Sequence, residues 1–147
     1  MVKEKVEFFS AEDVRSRLPL LKRVLNDVTA TYEARRKKQE RLEELVVISR
    51  KFSSCEIQET INNLRTQIAE AKRDLESLDR EVRLLGGTLK DQRRGIVYFN
   101  SLKDNRPILL VWDPAQSDTV SWHEVDESFA DRTPVQFPKG ATAPAPD

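Results

Sequence analysis

The sequence is poor in the residues from which many site chemistries are built. Its 147 residues include one Cys, one His, four Gly and ten aromatic rings, and 25 basic side chains are balanced by 25 acidic ones. A single Cys excludes an intramolecular disulfide framework, and together with a single His it excludes the structural zinc sites made from Cys and His ligands. There is no glycine-rich phosphate loop, because Gly86-Gly87 closes a helical pattern instead of opening one. Zero net charge argues against capture of a polyanion by bulk charge. No apolar run approaches the ~20 residues of a membrane helix. MVKEKVEFFSAED is interrupted by charge every second or third residue, which does not read as a secretory leader. The expectation is one domain in a reducing cytoplasm, without membrane contact.

What the chain does have is charge. Charged residues make up 34% of it, against about 25% in an average globular chain, and long solvated helices are the usual reason. From Leu18 the apolar positions run Leu18, Leu21, Leu25, Val28, Tyr32, then the polar Arg35 and Gln39, then Leu42 and Val46. A second series, Ile57, Ile61, Leu64, Ile68, Ala71, Leu75, Leu78, Val82, Leu85, alternates steps of 4 and 3 without a break. Such spacing keeps one stripe of a helix turned to a partner helix, as in a coiled coil.

Local signals set the helix limits at about 11–51 and 54–85. Ser10 before Ala-Glu-Asp is a first N-cap, Ser53 with Glu56 has the form of a capping box, and Gly86-Gly87 is a stop. Pro19 predicts a kink or a restart. So short a turn between the seams predicts an antiparallel hairpin. Facing residues then sum to about 106–107, which sets Arg35 opposite Ala71 and leaves room for the guanidinium to slide out to solvent. The arm should reach roughly 45–50 Å at 1.5 Å per residue. Leu45, Val47 and Ile48 flank the seam and predict further association, as a two-fold homodimer or a higher oligomer.

Beyond Gly87 the period falls to about two. GIVYFNSL, PILLVW and TVSWHEV, separated by KDNR and DPAQSD, predict a three-stranded antiparallel meander over 88–135, packed on the hairpin base, with TLK around Leu89 as a possible extra strand. Ile108, Leu110 and Trp112 are placed on one face, and Val120 and Trp122 on another. DESFADRTPV is too polar for a strand and reads as a loop or one helical turn capped by Asp126 or Ser128. The whole is an α+β chain, a hairpin over 8–87 with the meander in the same domain. The tail 136–147, rich in Pro and Ala, is expected to be disordered.

The sole concentration of chemical side chains is His123, Glu124, Asp126 and Glu127, with Arg132 downstream. These types suit a divalent-ion or small-ligand site, hydrolytic in one version, with His123 as ligand or general base. Against this, adjacent residues of a strand point to opposite faces. The competing reading is an anchor for the loop, with Arg132 bridging to Asp126 or Glu127. The basic run Arg35, Arg36, Lys37, Lys38 and Arg41 admits weak nucleic-acid binding. Yet these residues point all around a helix, lack interleaved aromatics for stacking, and have Glu33, Glu40, Glu43 and Glu44 close by. A solvated helix flank is the simpler reading. Cys55, at the hairpin tip, has no His or Asn partner nearby in sequence.

Three blocks resemble a bacterial family known as domain of unknown function 2203. They are FSAEDVRSRLPLLKRVL from Phe9 to Leu25, DQRRGIVYFNSL from Asp91 to Leu102, and WDPAQSDTVSWHEVDESFADRTPV from Trp112 to Val135. The last is the specific one, carrying Trp122, His123, Glu124, Asp126, Phe129, Arg132 and Pro134 in the family's spacing. Ser128 departs from a usual glycine, and Trp112-Asp113-Pro114 stands where the family tends to a longer polar turn. The resemblance spans about residues 8–135 and brings no established activity or catalytic residue, but it groups His123, Glu124, Asp126 and Arg132 as a unit. The function expected from the sequence is therefore non-enzymatic: a cytoplasmic coiled-coil protein acting by self-association and protein contacts, without cofactor.

Overall fold

The computed structural model describes residues 6–116 and 119–135. Helix α1 runs over Ala11–Ser49 and α2 over Cys55–Leu84. Five strands follow: β1 (Thr88–Asp91), β2 (Ile96–Lys103), β3 (Arg106–Trp112), β4 (Val120–Glu124) and β5 (Thr133–Pro134). All neighbouring strands pair antiparallel, in the order β1-β2-β3-β4-β5. The expected tail 136–147 lies outside the described residues.

Ser10 caps α1 reciprocally. Its hydroxyl accepts from the Asp13 N–H at 3.0 Å, and the Asp13 carboxylate accepts from the Ser10 N–H at 2.9 Å. Two donors left orphaned by the first helical turn are thereby satisfied. Pro19 neither ends nor restarts the helix, which continues through it. The loop between the helices is short, and α2 folds back along α1. Its N-cap is Ser54, one residue later than expected, with its hydroxyl accepting from the Ile57 N–H at 3.1 Å. Ser53 instead contacts the Gln58 amide.

Every position of the α2 series from Ile57 to Leu85 is buried or half-buried. In α1 every position of the series from Leu18 to Val46 except Gln39 is buried or half-buried. Gln39 is exposed, Lys38 is half-buried, and Leu45, expected on the exposed flank, is buried. Beyond Arg35 the covered stripe is thus wider than the series alone, taking in residues one position before 39 and 46.

At the far end of α2, Gly86 takes φ +93°. Its N–H reaches the Arg83 carbonyl at 2.9 Å, and that of Gly87 reaches the Val82 carbonyl at 3.1 Å. This pair of bonds is a Schellman ending, which depends on a left-handed residue at that point. The chain turns straight into β1.

The sheet has five strands where three were expected. β1 pairs through Leu89 with Val97. β5 is two residues long and escapes period-based reading; it tolerates Pro134 because an edge strand need not donate on its outer side. The β2–β3 connection is a two-residue loop with Asp104 at φ 51° and Asn105 at φ 62°, the mirror-image turn that matches strand twist. Register also corrects the face assignment, since Trp112 lies opposite Val120 and Leu110 opposite Trp122. Residues directly opposite share a face, so all of them look toward the helices. With Val97, Phe99 and Ile108 they form one core with Phe9, Val14, Leu18, Leu21, Leu25, Val28, Leu75 and Val82.

Candidate functional site on the outer face of the sheet

With the odd-numbered Val97 and Phe99 turned inward on β2, Tyr98 must face outward. On β4 the inward positions are Val120 and Trp122, so Ser121 and His123 face outward. This second face is covered as well. His123 is only 2% exposed, and its ring meets Tyr98 edge to face with centroids 5.4 Å apart. The polar segment after β4 forms a single 3-10 turn over Phe129–Asp131, and Arg132, which follows it, acts on the phenol of Tyr98 on this face. Ser128 begins the turn, giving both its N–H and its hydroxyl to the Asp131 carboxylate.

His123 Nδ1 lies 2.7 Å from the carbonyl oxygen of Glu124. A carbonyl can only accept, so Nδ1 carries the hydrogen, and in the neutral ring Nε2 presents its lone pair. Nε2 is buried and has no partner among the described residues. Leaving such an atom unpaired inside a protein costs roughly 1–3 kcal/mol, so this is the atom of the outer face from which a function can be argued.

The other residues of the sequence cluster do not converge on it. Glu124 points to the opposite face and pairs with Arg106 at 2.7 Å. The Glu127 carboxylate accepts the Glu124 N–H at 2.8 Å, closing the turn in which Asp126 stands exposed. Arg132 does not bridge to Asp126 or Glu127. It donates to the Phe129 carbonyl at 3.1 Å and stacks on the Phe129 ring at 3.8 Å. Among the described residues no group of three or more His, Cys, Asp or Glu could hold a metal ion. The alternation of β4 separates His123 from Glu124, and the turn spends Glu127 on backbone.

Three partners were missed in the sequence. Tyr98 sits on β2, far in sequence from the cluster; burial pushes its phenol up from the ordinary 10.0, and the Arg132 cation acts in the opposite sense. Arg94 and Asp113 were read as turn residues. The Asp113 carboxylate is buried, accepts the Ala115 N–H at 3.0 Å and meets Arg94 at 3.3 Å. The Arg94 guanidinium also lies 5.4 Å from the Phe129 ring, so two cations engage that ring. The sequence signal was present only as charge beside the strands, with nothing to say which charge turns inward.

The basic run divides in a similar way. Arg36 pairs with both Glu33 and Glu40, and Arg41 with Glu44. These contacts hold the Glu33 carboxyl below its usual range, and Glu33 and Glu40 together raise Arg36. Their charge is largely answered within α1. Lys37 is exposed, Lys38 is half-buried, and Arg35 is half-buried on the seam.

A two-helix hairpin carrying a five-stranded meander, with a buried histidine and a polar flap, defines an α+β protein with one core and two covered sheet faces. The family model described as an uncharacterized conserved protein, domain of unknown function 2203, matches residues 7–135, and the chain belongs to that family. Comparison with curated proteins and with solved structures gives no match.

Proposed function

We propose that this protein acts by association, its hairpin pairing as a coiled coil with a second copy of the chain, and that it does so in the cytoplasm without catalysis. The observation that carries this reading is at the hairpin tip, where Val47 is 55% exposed, Ile48 42% and Phe52 72%. Three large apolar side chains gathered at one end of a polar rod suit a helix-on-helix contact. Of the flanking charges, Arg36 pairs with Glu33 and Glu40 and Arg41 with Glu44 within α1, which weakens any field of one sign between two approaching copies. The single exposed Cys55 at the start of α2 fits a reducing compartment.

Full burial of a Val, Ile or Phe side chain is worth roughly 1.5–3 kcal/mol. A two-fold contact uses each side chain twice, which brings micromolar association within reach. Light scattering on the eluting protein should give a dimer or higher oligomer that Phe52→Asp with Ile48→Asp converts to monomer at unchanged helicity. A monomeric wild type at ~100 μM would refute the proposal.

A second reading draws on His123. Its unpartnered Nε2 favours a small ligand that offers a hydrogen-bond donor to the outer face, between Tyr98 and the flap. Chemical-shift changes confined to His123, Tyr98 and Phe129 during a ligand screen would support it, and changes elsewhere only would count against it.

A further inference from the structure

Arg35 is the first polar residue in the stripe that runs from Leu18. It lines a cleft of about 500 Å³ between the helices and the β1–β2 turn, together with Lys72 and Arg80 of α2 and Gln92 of the turn. The buried Leu75 is also part of the lining. Two carboxylates, Glu76 and Asp79, share the cleft with Arg83, but Asp79 is already paired to Arg83 at 2.5 Å. Among the described residues no ion pair or hydrogen bond engages Arg35, Lys72 or Arg80. This contrasts with Arg36, one residue along, which is held by two glutamates.

An unanswered cation at a seam position is costly for helix pairing, and polar exceptions in such seams commonly serve specificity or function. Arg35 is accommodated because it is only half-buried and opens onto the cleft beside the exposed Lys72 and the buried Leu75 of α2. The cleft volume lies within the usual range for small-ligand sites, roughly 300–1,000 Å³. Three free cations from two helices outnumber Glu76, the one lining carboxylate not held in an ion pair, and with a side-chain amide from a turn and one apolar residue they match an anion with several oxygens and a small organic body. The planar fork of arginine is suited to phosphate oxygens.

We propose that this cleft binds a small phosphorylated anion of the pyrophosphate or nucleoside-diphosphate class, with Arg35 and Arg80 gripping phosphate oxygens, Lys72 supplying charge and Gln92 a neutral donor. The site differs from the His123 face and from the hairpin tip, and it stands whether or not the chain self-associates.

The test is calorimetric titration of the full chain with inorganic pyrophosphate at low salt, alongside Arg35→Leu, Arg80→Gln and Arg36→Leu. Arg35→Leu puts an apolar side chain at a half-buried position of the stripe, so it should keep or raise the melting temperature while weakening pyrophosphate by about ten- to a hundredfold, the loss of one or two charge-assisted bonds. Arg80→Gln, on an exposed flank, should weaken it comparably and carries the test if Arg35→Leu fails to fold. Arg36→Leu should change binding less than about twofold, because its charge is already paired. Absence of binding at millimolar pyrophosphate overturns the proposal. So do equal losses in the Arg35 and Arg36 variants, citrate binding as tightly as pyrophosphate, or duplex DNA binding more tightly than either.

Discussion

Three glycines separate backbone strain from steric clash at the junction of hairpin and sheet. Gly86 has both, since φ is +93° and a Cβ built on it would lie 2.3 Å from Phe9 Cζ. Gly95 has mainly strain, with φ +73° and its nearest neighbour, Thr29 Cγ2, at 3.3 Å. Gly87 has no positive φ, but its Cβ would come within 2.5 Å of Val97 Cγ1 and 3.1 Å of Phe99 Cζ. A left-handed non-glycine residue costs about 1–2 kcal/mol, and overpacking about 1–3 kcal/mol. Gly95→Ala should therefore cost about 1–2 kcal/mol, Gly87→Ala about 1–3, and Gly86→Ala about 2–5, a large part of the roughly 5–15 kcal/mol that holds a domain together. Phe9 can yield only by giving up its edge contact with Phe99 at 5.6 Å and its stacking under Arg17 at 4.9 Å. Urea unfolding of the three variants at constant m measures the series. Phe9→Ala in the Gly86→Ala background should recover the clash, appearing as a coupling of about 1 kcal/mol or more in a double-mutant cycle. The reasoning fails if Gly95→Ala costs as much as Gly86→Ala, or if the cycle shows no coupling.

Ser10→Ala should cost about 1 kcal/mol in urea unfolding, through loss of the α1 cap. Hydrogen bonds from the Ser10 backbone and then its side chain hold the Asp13 carboxyl below its ordinary 3.8. Its contribution is accordingly present above that value and lost as pH falls through the lowered one; the stability gap between wild type and Asp13→Asn should close in acid, and a gap constant down to pH 2 would contradict this. His123→Leu removes an unpaired buried atom along with one hydrogen bond, so the net change should be within about 1 kcal/mol of zero; a loss above ~2 kcal/mol would mean that Nε2 is satisfied in solution. Burial raises the Tyr98 ionisation while Arg132 lowers it, so Arg132→Gln should move the tyrosinate absorbance transition to higher pH, and a shift downward would contradict the placement of that cation.

The helices were legible because their signals are local. Ser10, the unbroken steps from Ile57 to Leu85, and Gly86-Gly87 each act through neighbours one or two turns away. Leu45 was misread because the width of the covered stripe on α1 is set by how the two helices pack, a property of the pair and not of the spacing within one helix. In the sheet, strand content was visible in composition, but β5 was too short and carried proline. Which face Val120 and Trp122 share with Trp112 is fixed by cross-strand register, and a period of two within each strand does not supply it. The outer-face site was half legible. His123 stood out as the only histidine, whereas Tyr98, Arg94 and Asp113 reach it or its flap through pairings across three strands and a turn.

Stability and exposure are unevenly shared along the hairpin. The common core takes in α1 from Val14 to Val28 and α2 from Leu75 to Val82. Beyond it toward the tip, the buried apolar residues are Leu45, Ile61 and Ala71. The ion pairs that decorate this stretch, Arg36 with Glu33 and Glu40 and Arg41 with Glu44, are solvent-exposed and contribute little to stability. Fixing one residue's backbone costs about 1–2 kcal/mol, so a stretch this long draws little of its order from contacts within one chain. The arm is held at one end by the sheet and is marginal at the other. A second hairpin laid along it would add apolar contact where the chain has least, and an anion in the Arg35 cleft would tie α1 to α2 where the core ends. Either contact would stabilise the same distal stretch, so occupancy of one should favour the other through the ordering they share.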